Sequence, residues 1–285
     1  MNAQLVAVLG RGVVDPETPV LYADDAGLTR GDGCFDTCRV VHDGSSARAL
    51  HLDEHLARFA RSAELLDLPV PDLAAWRKLV ATALAAWPEP GEASLKLILT
   101  RGPAHLSGAP TGLLLLTVVD GAAQERARSG LRVVTLDRGY RSDVFATAPW
   151  LLGGAKTLSY GVNVAAKREA TARGADDVLF VSTDGYLLEG PTSGLLVARE
   201  QELVAVPTGA TGVLESVTVA TAMAAAWAAG WRTSEELLRP GDLSTCLGTW
   251  LVSTVRGVCP VLELDGAPVP QDAGLTARVT EWAGF

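Results

Sequence analysis

One break in the hydrophobic pattern constrains this chain more than any other feature. Residues 120–130, DGAAQERARSG, carry no apolar run and separate two stretches in which strand-like and helix-like periodicities follow one another. The expected organisation is a small domain over residues 1–119, a linker over 120–130 and a larger domain over 131–285. A chain of 285 residues that is 48% hydrophobic has ample material for cores in both halves. The same content excludes disorder.

In the first half, residues 5–9 and 34–41 alternate as strands, and Asp43-Gly44 before residues 47–51 predicts a hairpin. Leu52, His55, Leu56, Phe59, Ala63 and Leu66 recur at helical spacing, with Arg58 off that stripe. A second helix over residues 73–87 stops at Pro88, and residues 95–100 and 113–119 return to strand. In the second half, strands are expected over 131–136, 178–182, 186–188, 195–198, 203–206, 250–255 and 258–264. Helices are expected over 162–173, over 217–229 and near Trp282. The class is α+β.

Charge and composition narrow the function. A net charge of −9 without a basic run argues against a nucleic-acid surface. The opening residues lack a basic n-region, and the uncharged helical stretch at 217–231 is too short to span a bilayer, so a soluble cytoplasmic protein is expected. Cys34, Cys38, Cys246 and Cys259 form no repeated pair at zinc spacing, and His51 and His55 are not followed by the glutamate of a zinc-protease helix, so no metal is expected.

The residue that needs explaining is Lys156. From Val144 to Ala166 it is the only strongly ionisable side chain, and the chain has only four lysines among its 24 basic residues. Burial disfavours an ammonium and exposes the lone pair that attacks a carbonyl carbon, although a lysine among small neighbours can also reach out to solvent. The preceding Gly153-Gly154-Ala155 does not complete a phosphate-binding loop, because the earlier glycine is replaced by Trp150. Arg30-Gly31-Asp32-Gly33 opens a strand and lacks a third glycine, so it is no dinucleotide fingerprint. A pyridoxal 5'-phosphate (PLP) site would need an amine, an acid for the pyridine nitrogen and donors for the phosphate. Glu189 before Gly190-Pro191-Thr192-Ser193-Gly194 offers the acid, and the start of the helix at Val217 offers main-chain N–H groups.

Four blocks carry a family resemblance: RGDGCFDTCRV (residues 30–40), HLDEHLARFARSAELL (51–66), AKTLSYGVNVAAKREA (155–170) with DDVLFVSTDGYLLEGPTSGLLV (176–197), and LVSTVRGVCPV (251–261). In this order the chain resembles the fold type IV PLP-dependent enzymes, the class IV aminotransferase family, which includes D-amino acid and branched-chain aminotransferases and aminodeoxychorismate lyase. The resemblance implies a small α+β domain, a larger mixed α/β-barrel-like domain like that of D-amino acid aminotransferase, and a homodimer. It implies that Lys156 binds PLP and moves protons, and that Glu189 faces the pyridine nitrogen. For the phosphate it implies Arg58, Val217, Thr218 and Thr254, and it places Ser193, in the loop after Glu189, among the cofactor-binding residues. It leaves Thr37, Arg101 and Tyr160 as substrate-side candidates; Arg101 is a possible carboxylate clamp or a strand-end surface arginine.

Two local departures stand out. Gly194 replaces an asparagine common after the serine, and Glu215 puts a negative charge beside the expected phosphate helix. Residues 157–160 do not match the Gly-Gly-Asn-Tyr run of branched-chain enzymes, and Asp36 stands where transaminases often carry glutamate. The block Gly31-Asp32-Gly33-Cys34-Phe35 with Thr37 and Arg39-Val40 resembles aminodeoxychorismate lyase most, which implies conversion of 4-amino-4-deoxychorismate to 4-aminobenzoate and pyruvate. The alternatives are a class IV aminotransferase acting on D-amino or branched-chain amino acids and, more remotely, a non-catalytic binding module. The roles of Asp36, Tyr160 and Gly194 stay open at this point.

Overall fold

The computed structural model describes residues 3–106 and 109–285. Two compact units result: Met1–Gly121 with Ala155–Tyr160, and Ala122–Gly154 with Gly161–Phe285.

The first unit is an antiparallel sheet with helices on one face. Its strands are β1 (Gln4–Val8), β2 (Gly12–Val14), β3 (Gly33–His42), β4 (Ala47–Ala49), β5 (Gly91–Thr100) and β6 (Thr111–Val118), in the order β2-β1-β6-β5-β3-β4. A short helix α1 (Ala26–Arg30) precedes β3, and α2 (Leu52–Leu65) and α3 (Leu73–Ala85) follow the β3–β4 hairpin. The hairpin turn closes through the Asp43 carboxylate, which accepts from the N–H groups of Ser45 and Ser46. Alternation divides the sheet. Cys34, Cys38, Leu95, Leu97, Leu99, Leu114 and Leu116 point into a core with Leu56, Phe59 and Ala63 of α2 and Trp76, Val80 and Ala83 of α3. The opposite face carries Phe35, Thr37, Arg39, Lys96 and Ile98, of which all but Phe35 are half-buried or less covered.

The second unit is a mixed sheet. Its elements are α4 (Gly121–Ser129), β7 (Leu131–Asp137), α5 (Gly161–Ala172), β8 (Asp177–Val181), β9 (Gly194–Arg199), β10 (Glu202–Ala205), α6 (Val217–Ala228), β11 (Arg232–Glu235), β12 (Gly248–Ser253), β13 (Gly257–Leu264), β14 (Ala267–Pro268) and α7 (Ala273–Trp282). The order is β11-β10-β9-β12-β13-β7-β8, with β14 on β13. Its parallel pairs are β10/β11, β13/β7 and β7/β8. Among the described residues no helix is long and apolar enough to cross a membrane.

Three sequence expectations are corrected. Residues 121–129 form a helix, not an irregular linker, because Ala, Gln, Glu and Arg are strong helix formers and a helix with no buried face leaves no periodic signal. Residues 186–188 are not a regular strand, although Leu188 N–H donates to the Phe180 carbonyl and Phe180 N–H to that of Glu189, so the Asp184-Gly185 turn does reverse the chain. The third correction concerns Lys156. Residues 155–160 belong with the first unit because they pair with β3: Phe35 N–H donates to the Lys156 carbonyl at 2.9 Å and Leu158 N–H to the Gly33 carbonyl at 2.9 Å.

Gly33 permits this pairing. A Cβ there would lie 2.5 Å from the Leu99 carbonyl oxygen, 2.7 Å from Leu158 Cδ1 and 3.0 Å from Thr100 Cα. Two of these are main-chain atoms of β5 that cannot yield cheaply. Gly33→Ala is expected to cost about 1–3 kcal/mol of stability, read as a lower midpoint in urea unfolding at unchanged slope; an unchanged midpoint would show that the strand can shift.

Candidate functional site

The Lys156 segment lies along the edge of β3, with a bridge between Cys34 and Thr157. Lys156 N–H donates to the Ser62 hydroxyl of α2 at 3.1 Å, so the lysine's own backbone is fixed on both sides. Its side chain is half-buried, less enclosed than its apolar sequence neighbourhood implies, and Nζ sits 4.7 Å from the centroid of the Phe35 ring. Tyr160 meets the same ring edge-on at 5.4 Å. A second ammonium, Lys96 of β5, lies 5.3 Å from that centroid. Thr37 is the cross-strand partner of Lys96 in the β3–β5 register. Lys96 was missed from sequence. Its only signal was its place among the alternating leucines of β5, which puts it on the face opposite the core.

Arg58 is not on the solvent side of α2. It is buried, and Nε and Nη2 each donate to the Asp36 carboxylate at 2.8 Å. The same carboxylate accepts from Thr37 N–H at 2.6 Å and faces His55 Nδ1 at 2.8 Å. Burial alone would raise the Asp36 carboxyl, but the hydrogen bonds and charges of Arg58 and His55 hold it well below the usual carboxylate range. Burial also pushes His55 below the ordinary histidine value, against the pull of Asp36. Its Nδ1 lies against the carboxylate, and its buried Nε2 has no hydrogen-bond partner among the described residues. Asp36 thus belongs to the α2 side of the sheet, bonded to Arg58 and His55.

Arg101 is occupied elsewhere. Its guanidinium binds both oxygens of Asp32 at 2.6 and 3.1 Å and donates to the carbonyls of Leu66 at 2.8 Å and Asp67 at 3.0 Å. It ties the α2 exit to the start of β3, which is a structural role and not that of a free clamp.

In the second unit the remaining candidates gather around three turns. The Glu189 carboxylate accepts from Leu214 N–H at 3.3 Å. The loop after it is held by the Gly190 N–H to Ser193 carbonyl bond at 2.8 Å and by Asn163 of α5, which donates to the Pro191 carbonyl at 2.6 Å. The buried Ser193 hydroxyl accepts from Arg256 Nη2 at 3.3 Å. Helix α6 is capped by Ser216, whose side chain accepts from Val219 N–H at 3.3 Å, and its first residues Val217 and Thr218 are buried. The Thr218 and Thr254 hydroxyls lie 3.2 Å apart. A helix start flanked by two hydroxyls suits an anion. Glu215 is exposed, which removes the conflict its charge suggested. Gly194 is explained by packing: a Cβ there would lie 2.8 Å from Val219 Cγ2 of α6, leaving no room for asparagine.

The buried cluster makes stability depend on pH. The folded chain takes up a proton on His55 less readily than the unfolded chain, which protonates it near pH 6.5. Stability is therefore lost as pH falls through about 6.5, and lost further below about 4 as Asp36 is protonated in the unfolded chain. Melting temperatures from pH 8 to 5 should fall, and the slope should flatten in His55→Gln; equal slopes would assign the dependence to other groups.

Comparison with known proteins accords with this geometry. The family profile described as amino-transferase class IV matches residues 33–264. A bifunctional aminodeoxychorismate lyase / D-amino acid transaminase of Mycobacterium tuberculosis is 38% identical over 275 residues, covering 94% of this chain and 93% of that protein. A fold IV-transaminase from Curtobacterium pusillum is 40% identical, with a TM-score of 0.91 over 98% of this chain and 97% of that one. The PLP-bound form of a hypothetical aminotransferase from M. tuberculosis is 38% identical, with a TM-score of 0.89 over 99% and 98%. The chain belongs to the class IV aminotransferase family and has its two-domain α+β fold.

Proposed function

We propose that the protein is a PLP-dependent 4-amino-4-deoxychorismate lyase. The observation that carries the reading is the paired placement of Lys156 and Lys96 on the Phe35 ring, an amine for covalent chemistry beside a second cation for a substrate carboxylate. The donor set suits PLP. An amine stands on the first unit, and an anion-binding helix start and a glutamate oriented by a main-chain N–H stand on the second. When bound, PLP supplies an electron sink for the carbon from which a proton is taken.

In this reading Lys156 would hold the cofactor, and its amine would accept the ring proton of the substrate. Glu189 keeps the pyridine nitrogen protonated. Arg58, the N–H groups of Val217 and Thr218, and the hydroxyls of Thr218 and Thr254 bind the phosphate, while Ser193 braces the glutamate loop. Asp36 and His55 hold the Arg58 guanidinium in place. Lys96 and Thr37 meet a carboxylate of the substrate, and Tyr160 packs beside it. Loss of the ring proton and departure of pyruvate leave aromatic 4-aminobenzoate, a folate precursor, and aromatisation drives the step. A cytoplasmic homodimer completes the reading, on the strength of the family resemblance.

D-amino acid transamination is the second reading. The relative that is 38% identical bears both activities in its name. Both readings use the same lysine and glutamate.

Two measurements test the proposal. Purified protein incubated with PLP and reduced with borohydride should carry the cofactor on the peptide containing Lys156, and Lys156→Ala should carry none. The loaded enzyme should then form 4-aminobenzoate and pyruvate from 4-amino-4-deoxychorismate. Transfer of an amino group from D-alanine to 2-oxoglutarate without 4-aminobenzoate would establish the transaminase instead. Lys96→Met should lower kcat/KM for the lyase substrate by about 10- to 100-fold, as expected for a lost charge-assisted hydrogen bond, while PLP uptake stays unchanged; an unaltered kcat/KM would remove Lys96 from the substrate side.

A further inference from the structure

Arg256 lies in the turn between β12 and β13, two residues after Thr254, and sequence analysis gave it no role. Its side chain is mostly buried and reaches two other segments of the second unit. Nη1 donates to the Asp177 carboxylate at 2.5 Å, and Nη2 donates to the Ser193 hydroxyl at 3.3 Å. Asp177 is fully buried at the first position of β8. Ser193 closes the loop that follows Glu189, and its hydroxyl sits where a Cβ on Gly190 would fall, at 2.6 Å. The turn is also held from outside: Arg128 of α4 donates to the carbonyls of Arg256 at 2.9 Å and Val255 at 3.3 Å.

These contacts join the Glu189 loop to the turn bearing Thr254 through one guanidinium anchored on a buried carboxylate. The β9–β12 ladder joins these segments only as far as Gly194 and Val252. Ser193 and Thr254 flank the paired ends of β9 and β12, where Gly194 faces Val252; Ser253 still pairs with Gly257 of β13, while residues 254–256 form the turn outside the strands. A buried arginine that serves one carboxylate needs no serine, and a loop that only closes on itself needs no arginine. The network is explained if the spacing between its two ends matters.

We propose that Arg256 is a positioning residue that sets the distance between the glutamate loop and the Thr254 turn, so that the two ends of one cofactor are gripped together. The inference rests on the PLP reading above and adds to it a residue that touches neither end of the cofactor. Arginine is required for its planar fork, which reaches the carboxylate and the hydroxyl at once; a lysine offers a single point charge.

The test is equilibrium binding of PLP to the cofactor-free protein, with the visible absorbance of the bound form followed against pH. Arg256→Gln should raise the PLP Kd by at least about tenfold, equivalent to ~1.4 kcal/mol, and shift the pH midpoint of the visible band. Ser193→Ala keeps the Asp177–Arg256 pair and with it the fold, so it decides the matter if Arg256→Gln does not fold. It should raise the Kd by at least about threefold while the melting temperature of the cofactor-free protein stays at the wild-type value. A Ser193→Ala protein that binds PLP as wild type, with an unmoved band midpoint, would overturn the inference and leave the network a purely structural brace. Failure of the wild-type protein to take up PLP would overturn the functional reading, and this inference with it.

Discussion

Two main-chain hydrogen bonds carry the rest of the first unit's chemistry: Phe35 N–H to the Lys156 carbonyl and Leu158 N–H to the Gly33 carbonyl. Strand β4 pairs only with residues 40–42 of β3, which leaves the first half of β3 with an unpaired edge. Unpaired edge groups cost free energy when covered and invite wrong partners when exposed. Residues 155–158 fill that edge. A lysine whose own N–H and carbonyl are both committed cannot wander with its loop, and the ring of Phe35 then limits where Nζ can go. The precision of the amine is inherited from the sheet, which is the kind of support a reactive group requires.

The buried Asp36–Arg58–His55 cluster is the second constraint. Burying a carboxylate and a guanidinium is favourable only when geometry and hydrogen bonding are close to complete, and here Asp36 takes two donors from Arg58, one from His55 and one from the chain. That arrangement freezes the guanidinium in advance, so an anion meeting it would lose little to side-chain ordering. It also separates two meanings that sequence alone conflates. An acid at position 36 beside Phe35 and Thr37 reads as part of a substrate-facing strand, yet alternation turns it to the helix side while its neighbours face the other way.

What was legible in the sequence follows from how locally each feature is encoded. The α2 stripe, the β3 alternation and the Asp43-Gly44 turn are set by residues within one or two turns of each other, and each is present in the structure. Lys156 stands out in the sequence because a lone cation in an apolar stretch is itself a local contrast. Helix α4 was not, since a helix without a buried face has propensity but no period. Arg101 looked available because nothing near it in sequence announces the Leu66 and Asp67 carbonyls or Asp32 as its partners. Lys96 and Arg256 were invisible for the same reason. Their meaning lies in cross-strand register and in contacts spanning 63 and 79 residues, which a single sequence does not reveal.

The two units therefore fix their functional groups by different means. In the first, the amine is held by strand pairing and the guanidinium by a buried carboxylate, both extensions of regular structure. In the second, Glu189, Ser193 and Thr254 lie just outside the regular strands, where pairing is reduced to isolated main-chain bonds. Irregular backbone at a functional site needs side chains to do what a ladder would do. Asn163 on the Pro191 carbonyl, Arg128 on the 255–256 carbonyls and Arg256 between Asp177 and Ser193 are those side chains. Each reaches its target from a helix or from the turn between β12 and β13, so the rigidity of the core is passed to the loops through polar contacts. Substitutions in these braces should then act on how well the loops are held and leave the chemistry of the groups they carry unchanged, which sets them apart from substitutions of Lys156 or Glu189.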